Sequence, residues 1–147
     1  MTNKNFTTTL QVDKSPSDAF QAITNPRAWW GKTDGRADRL GGEWTYRYKD
    51  VHVSTHKTTE LVPEKKVVWH VVDSTMTFLK MDPHEWRGTD MVFDIARKGD
   101  KTEIRFTHVG LVPEAECFDM CLPAWTGLIQ NSLRNLIETG HGAPYTA

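Results

Sequence analysis

The sequence predicts an α+β fold in which a curved antiparallel sheet of six or seven strands wraps around one long C-terminal helix. Two periodicities predict it. From Ala115 to Gly140, apolar residues recur every three or four positions, which places them in one stripe along a helix. Between Glu43 and His108 the apolar spacing is two, and tight turns interrupt it, which is typical of antiparallel strands. So long a stripe needs a large apolar surface, and the sheet is the partner that this chain offers.

The first strand and two short helices precede this sheet. Apolar residues alternate with polar ones in residues 6–12, which favours a half-buried strand. Residues 15–18 then offer a capping serine, a proline at the first helical position and an acidic residue in the first turn. This helix should end at Asn25-Pro26, and residues 27–30 should add one further helical turn. Residues 31–42 contain four glycines and are expected to form a loop.

The strands of the central region follow from the period of two. They are expected at residues 43–48, 51–61, 67–72, 91–95 and 104–108. In the second of them the odd-numbered positions are the more apolar, so His52 and His56 are expected to face solvent. Residues 73–86 mix apolar and polar side chains without a clear period, and their structure is left open.

Pro123 lies inside the predicted C-terminal helix. A proline in a helix interior removes one backbone hydrogen bond and clashes with the preceding turn. The sequence therefore predicts either a kink near residues 119–122 or two helices that meet there. The bend could follow the curvature of the sheet, or it could be a hinge that lets residues 114–122 cover a pocket together with residues 73–86.

The chain has two cysteines, Cys117 and Cys121, and both belong to the predicted helix. Their spacing of four makes an unstrained disulfide unexpected, and small apolar packing is the simplest interpretation. His108 is the nearest further metal ligand, but the spacing matches no known zinc pattern. No phosphate-binding glycine loop is present either. We therefore expect no metal, nucleotide or other cofactor.

Composition limits the remaining possibilities. A chain of 147 residues is expected to form one domain, residues 1–147, with a substantial core. The 18 basic and 19 acidic residues give a net charge of −1, which provides no electrostatic footprint for nucleic acid. No apolar run approaches the roughly 18 residues that span a bilayer, so membrane insertion is not expected. The polar N-terminus does not resemble a signal peptide, which predicts a cytoplasmic protein.

Several short motifs occur in an order that resembles a known family. They are Asn25-Pro26 with Trp29-Trp30, Gly42-Glu43-Trp44, Val68-Trp69, Thr107-His108-Val109-Gly110-Leu111 and the helix end Leu136-Ile137-Glu138-Thr139-Gly140. Together they resemble the START-like helix-grip (SRPBCC) superfamily. Within it, they are most similar to the branch named after the activator of heat-shock-protein-90 ATPase. The resemblance covers nearly the whole chain.

The resemblance implies a helix-grip fold, in which a bent antiparallel sheet and the C-terminal helix enclose a cavity. The superfamily includes lipid and hormone binders, polyketide cyclases and co-chaperone domains, so three functions are open. The first is binding of a small hydrophobic or amphipathic molecule in the cavity. The second is an enzyme of the cyclase or hydrolase type in the same pocket. The third is a protein-interaction module associated with a chaperone.

The candidate ligand-binding residues are the large apolar side chains assigned to the concave face of the sheet and to the helix. They are Trp44, Tyr46, Trp69, Phe93, Phe106, His108, Trp125, Leu128 and Ile129. As a pocket, this set would suit a small apolar or amphipathic molecule, with a few polar groups to orient it. Alternatively, the rings simply fill the interior, as buried aromatic residues commonly do.

His108 is the one titratable residue of this set. It continues the apolar, even-numbered face of its strand, so it could donate a hydrogen bond in the pocket or transfer a proton. Buried histidines more often have a structural role, bonded to neighbouring groups. The sequence contains no recognisable nucleophile motif, so no catalytic residue is assigned and an enzyme is not the favoured hypothesis. A chaperone-binding surface would need an exposed apolar patch, whereas the predicted outward residues are charged.

Overall fold

The computed structural model describes residues 4–145, and the predicted domain of residues 1–147 extends beyond this part at both ends. The strands are β1 (Phe6–Val12), β2 (Thr33–Gly35), β3 (Glu43–Tyr48), β4 (His52–Val62), β5 (Lys66–Met76), β6 (Asp90–Lys98) and β7 (Lys101–Val109). The helices are α1 (Pro16–Ile23), α2 (Pro26–Trp29), α3 (Phe118–Gly127), a π-helical segment (Leu128–Leu133) and α4 (Arg134–Thr139).

The strands form one curved sheet in the order β1-β7-β6-β5-β4-β3-β2, and every neighbouring pair is antiparallel. This confirms the predicted α+β fold with a long C-terminal helix. The short strand β2 lies within residues 31–42, which were expected to be only a loop. The strand predicted at residues 67–72 is longer, because β5 continues to Met76 and so enters the segment that the sequence left open.

Helix α1 begins as its capping signals predict, whereas α2 begins at Pro26, one residue before the predicted further turn. The backbone N–H of Asp18 donates to Ser15 Oγ at 3.1 Å, and proline occupies the first turn of both α1 and α2. The second helix is only four residues long, and its last residue, Trp29, is fully buried. These helices therefore bring Trp29 and the adjacent Trp30 into the core.

The C-terminal helix, defined as α3, the π-helical segment and α4 together, is continuous from Phe118 to Thr139. It begins three residues later than predicted, because residues 113–117 form turns and a bend. Pro123 lies inside α3, and the helix continues through it. The change in helical geometry occurs further along, where residues 128–133 adopt the wider π-helical turn. Gly140 ends the helix with a φ of 86°, a left-handed conformation that glycine adopts readily.

Polar side chains of the C-terminal helix bind the backbone of the edge strand β1. The Gln130 amide donates to the carbonyl of Thr9 at 2.9 Å, and the Arg134 guanidinium donates to the carbonyl of Gln11 at 2.9 Å. These bonds fix the position of the helix relative to one end of the sheet.

The inner face of β4 is polar, and the expectation that His52 and His56 face solvent is wrong. In the pairing of β3 with β4, His56 lies opposite Trp44 and His52 lies opposite Tyr48. Directly opposed residues of antiparallel strands have their side chains on the same face, so His56 is buried with the inward-facing Trp44. The apolar odd positions of β4 were misleading, because the aromatic partner strand determines which face is inside.

None of the helices in the described part of the chain is both long enough and apolar enough to cross a membrane.

Candidate functional site

A small cavity of about 100 Å³ lies between the sheet and the C-terminal helix. Its walls are mainly aromatic and aliphatic, with a few polar groups. The lining residues are Trp30, Tyr46, His52, Met76, Phe78, Trp86, Met120, Cys121, Ala124, Trp125, Leu128 and Tyr145. A cavity of this kind suits a small apolar molecule that is oriented by few polar contacts.

The helix contributes one wall because four of its residues share a face. Ala124 and Trp125 each follow Cys121 and precede Leu128 by three or four positions, which brings all four side chains to the same side of the helix. The opposite wall consists of Tyr46 from β3, together with residues of β4 and β5. The mouth includes the most exposed lining side chains, Met120 at 49%, Tyr145 at 42% and Phe78 at 38%.

Stacked aromatic rings make these walls rigid. Trp30 stacks on Tyr46 with ring centroids 4.3 Å apart and lies 5.0 Å from the ring of Trp125. On its other side, Trp125 lies nearly parallel to Trp86, with centroids 5.8 Å apart. Burial is the main cause that raises the pKa of Tyr46, so its hydroxyl stays neutral. Rings held on both sides change conformation little, and the cavity is therefore largely pre-formed.

His108 is a structural link rather than a free group in the cavity. The Trp125 indole Nε1–H donates to His108 Nδ1 at 3.1 Å, so the imidazole proton is on Nε2. Nε2 can then donate to Thr89 Oγ1 at 2.8 Å, and the Thr89 hydroxyl donates to the carbonyl of Trp86 at 2.6 Å. Burial lowers the pKa of His108 to about 3, which keeps the ring neutral. This chain of hydrogen bonds connects the helix, β7 and the turn after β5.

Two further histidines lie on the inner face of β4, where His56 is fully buried and His52 is half-buried. Burial lowers the pKa of His52 to about 4 and also lowers that of His56 well below its ordinary value. His56 is covered by Trp44, whose ring centroid is 4.2 Å away, and it does not line the cavity. His52 does line it, and its ring is 4.9 Å from that of Trp86. All three histidines are therefore neutral near pH 7, and His52 is the one beside the cavity.

Two carboxylates, called the carboxylate pair below, connect the segments that border the mouth. Glu116 accepts the backbone N–H groups of Lys80 and Met81 at 2.7 and 2.8 Å. These same hydrogen bonds are the main cause that lowers the pKa of Glu116. In the reverse direction, Glu85 accepts the backbone N–H groups of Glu116 and Cys117 at 2.7 and 2.9 Å. The turn after β5 and the start of α3 are thus joined by reciprocal hydrogen bonds.

The predicted site residues fall into two groups. Tyr46, Trp125 and Leu128 line the cavity. The other six are buried in the core but are not lining residues: Trp44, Trp69, Phe93, Phe106, His108 and Ile129. Their rings pack against one another, for example Trp69 on Phe93 with centroids 5.0 Å apart. Much of the interior is therefore filled, as the alternative interpretation of the aromatic residues expected.

The sequence reasoning missed nine of the twelve lining residues: Trp30, His52, Met76, Phe78, Trp86, Met120, Cys121, Ala124 and Tyr145. Trp86 ends the segment of residues 73–86 that has no clear period, so no pattern indicated which way it faces. A tryptophan within a polar turn was the available signal, since a ring of this size is rarely left in solvent. His52 was missed because its strand was assigned the wrong inner face.

Cys117 and Cys121 lie side by side at the start of α3, with Cα atoms 5.4 Å apart and their sulfur atoms in contact. Their other neighbours do not complete a metal site. Within residues 4–145, no group of three or more His, Cys, Asp or Glu side chains could hold a metal ion.

Larger depressions exist on the surface. One, of about 580 Å³, lies between α1, α2 and β2 and is bordered mainly by polar and charged residues, including Arg27, Asp34 and Asp38. A second, of about 510 Å³, lies between α1 and α4. Both are open to solvent and neither is mainly apolar. A third depression, of about 300 Å³, is mainly aromatic and shares Tyr46, His52, Phe78 and Tyr145 with the smaller cavity. We therefore place the candidate site at the smaller, aromatic cavity, with this depression adjoining its mouth.

Comparison with known families agrees with this architecture. The family described as activator of Hsp90 ATPase homolog 1-like protein matches residues 13–138. The chain belongs to this family. The match confirms the resemblance inferred from the sequence motifs, and it spans every element from the end of β1 to α4. A comparison with the curated proteins finds no significant match.

Solved structures show the same fold. The Aha1 dimer from Colwellia psychrerythraea is 25% identical with a TM-score of 0.74, covering 94% of this chain and 98% of its own. SSP2350 from Staphylococcus saprophyticus is 14% identical with a TM-score of 0.68, covering 97% and 98%. DynU16, from the dynemicin biosynthetic locus, is 12% identical with a TM-score of 0.71, covering 99% of this chain and 52% of its own. At the two lower identities the likeness concerns the fold alone.

Proposed function

We propose that this protein binds a small hydrophobic or amphipathic molecule, reversibly, between the sheet and the C-terminal helix. The observation that supports this most directly is the cavity of about 100 Å³ with aromatic and aliphatic walls. Its volume is comparable to an engineered cavity of about 150 Å³ that binds benzene. The proposed ligand, or the part of it that enters, is therefore about the size of one six-membered ring.

Filling the cavity tests this proposal. Ala124 is a lining residue on the helix, and Ala124→Leu adds three carbon atoms at this wall. We expect the purified wild-type protein to bind toluene in an NMR titration, with shifts at the Trp30, Trp86 and Trp125 indole groups. In Ala124→Leu these shifts should be lost, because the added side chain occupies the volume of the probe.

The matched control is Asn135→Leu, which places the same side chain on an exposed part of α4. This variant should bind toluene as the wild type does. Native mass spectrometry of the freshly purified protein should in addition detect a co-purified small molecule. Equal toluene binding by both variants would contradict the proposed site.

One observation favours the enzyme hypothesis. Three histidines lie inside the fold, whereas the sequence indicated only His108. Their surroundings do not favour catalysis. His108 uses both ring nitrogens in hydrogen bonds, and His56 is covered by tryptophan rings. His52 is the remaining candidate, and a pKa of about 4 makes it a weak base near neutral pH. Ligand binding is therefore the better supported function.

A chaperone interaction is suggested by the name of the family and by that of the Aha1 dimer from Colwellia psychrerythraea. The exposed apolar side chains Phe78, Met81 and Met120 at the mouth would suit such a contact, but they also border the cavity. If no small molecule binds in the cavity-filling experiment, a chaperone interaction remains the alternative function.

A further inference from the structure

Buried polar atoms without a hydrogen-bond partner are concentrated around the inner faces of β4 and β5. Among the described residues these atoms are Trp44 Nε1, His52 Nε2, Ser54 Oγ, His56 Nδ1 and Nε2, Trp69 Nε1, Ser74 Oγ and Trp86 Nε1. Ser54 and Ser74 lie directly opposite each other in the pairing of β4 with β5. Buried polar groups in folded proteins nearly always have a partner, and leaving one without is costly. The interior beside the cavity is therefore suited to a polar group from outside the chain.

Two of these atoms belong to residues that line the cavity, namely His52 and Trp86. Their rings meet nearly at right angles, with centroids 4.9 Å apart. An indole N–H can only donate a hydrogen bond, whereas the nitrogen of a neutral imidazole donates or accepts according to its tautomer. A hydroxyl group satisfies both side chains with either tautomer, because it can accept two hydrogen bonds or accept one and donate one.

The polar group that fits here is uncharged. The described lining residues include no lysine, arginine, aspartate or glutamate. Burial lowers the pKa of His52 to about 4, so this ring does not supply a positive charge near neutral pH. A buried carboxylate or ammonium group would have no partner of opposite charge, and an isolated buried charge is strongly disfavoured.

The mouth, in contrast, is mainly apolar. The most exposed lining residues are Met120, Tyr145 and Phe78, and the side chain of the adjacent Met81 is 87% exposed. Trp86 is only 4% exposed. The unpartnered nitrogens of His52 and Trp86 are thus buried, whereas the side chains at the mouth are apolar apart from the hydroxyl of Tyr145.

We propose that the cavity selects an uncharged, ring-sized molecule bearing a hydroxyl group. The hydroxyl enters first and hydrogen-bonds to His52 and Trp86, while the apolar part of the molecule lies toward Phe78 and Met120. This inference rests on the proposed function and specifies its ligand class.

Four probes of similar size test the hydroxyl. The first is p-cresol, which can donate and accept hydrogen bonds, and the second is anisole, which can only accept them. The third is toluene, which does neither, and the fourth is benzoate, which is charged. NMR titrations of the wild type should give p-cresol an affinity about tenfold higher than toluene, the gain expected from one or two buried hydrogen bonds. The Trp86 indole N–H resonance should shift downfield with p-cresol and not with toluene. Anisole should bind more weakly than p-cresol, and benzoate should bind most weakly.

Two variants test the residues. Trp86→Phe removes the indole N–H, and His52→Phe removes the imidazole, while both keep an aromatic ring. Each should reduce the p-cresol preference to about twofold or less and still bind toluene. His70→Phe is the matched control, because His70 lies outside the cavity and pairs with Asp90 at 2.8 Å. That variant should keep the full preference.

The outcomes separate the two proposals. Equal wild-type affinity for p-cresol and toluene, or a preference for benzoate, overturns this inference and leaves the proposed function intact. Anisole binding as tightly as p-cresol also overturns it, because the site would then recognise any acceptor. If none of the four probes binds, the proposed function itself fails. If His52→Phe does not fold, the inference is still tested by the Trp86→Phe variant and by the ratio of the wild-type affinities for p-cresol and toluene.

Discussion

At the residue scale, Trp125 connects stability to the site. Its ring lines the cavity, while its indole N–H donates to His108. We expect Trp125→Phe to lower the free energy of unfolding by about 1–3 kcal/mol, because it keeps an aromatic ring but leaves His108 Nδ1 buried without a donor. Urea unfolding followed by far-UV circular dichroism measures this change.

Trp69→Phe is the control for this prediction. Trp69 is also fully buried, but its Nε1 has no hydrogen-bond partner among the described residues. The substitution therefore loses ring area without breaking a hydrogen bond, and it should cost less than Trp125→Phe. An equal loss in both variants would mean that the bond to His108 contributes nothing measurable.

Single residues also mark what sequence reasoning could predict. Trp125 and Leu128 were placed correctly on the cavity side, because the helical period of three to four residues specifies one face. His56 was placed wrongly, because a strand's inner face depends on pairing with its neighbour, and alternation within one strand does not determine it. Trp86 could not be assigned at all, since its position results from turns and hydrogen bonds made by Thr89 and His108.

At the element scale, the carboxylate pair joins the turn after β5 to the start of α3. We expect Glu85→Ala to increase amide hydrogen exchange at Glu116 and Cys117 by about tenfold or more, because these N–H groups lose their acceptors and the start of α3 opens more often. Hydrogen exchange measured by NMR tests this at single residues.

Glu114→Ala serves as the control. Glu114 is an exposed neighbour whose ion pair with Lys4 is long, at 3.9 Å. Its removal should leave the exchange of Glu116 and Cys117 unchanged. Unchanged exchange in Glu85→Ala as well would show that the carboxylate pair does not hold these two segments together.

The elements themselves were largely predictable. Capping at Ser15 and the proline at position 16 located α1, and the period of two located the main strands. The sequence indicated a disturbance of the C-terminal helix at Pro123, yet the π-helical segment lies at Leu128–Leu133. Its position follows from packing of the helix against β1 and α2, which a helical pattern alone does not contain.

At the scale of the whole molecule, three neutral histidines inside the fold predict a dependence of stability on pH. Burial lowers the pKa of His52, His56 and His108 below the ordinary value of 6.5. Below pH 6.5 the unfolded chain therefore binds protons that the folded chain does not. The free energy of unfolding should fall as the pH decreases from 6.5 toward 4, by up to about 1.4 kcal/mol per pH unit for each fully buried histidine.

Urea midpoints measured at several pH values test this prediction. Between pH 6.5 and 5 the ion-paired carboxylates add little, because the ordinary pKa of aspartate is 3.8 and the pKa values of Asp13 and Asp73 are lowered by Lys101 and Arg87. His56→Leu should make the curve shallower in this interval. Trp69→Phe, which changes a buried ring that packs on Trp44 and Phe93 rather than on a histidine, should shift the curve at every pH without changing its slope. A flat wild-type curve would contradict the prediction.

The hydrogen bonds from the C-terminal helix to β1 also affect how the protein behaves at high concentration. An edge strand with free backbone groups is a template on which another chain can add a strand and begin aggregation. Gln130 and Arg134 occupy the carbonyls of Thr9 and Gln11, which such a strand would need as acceptors. The opposite edge is β2, which has only three residues and offers few groups for pairing. The same contacts that position the helix over the sheet therefore protect the β1 edge against the growth of intermolecular β-structure, while the other edge is protected by the shortness of β2.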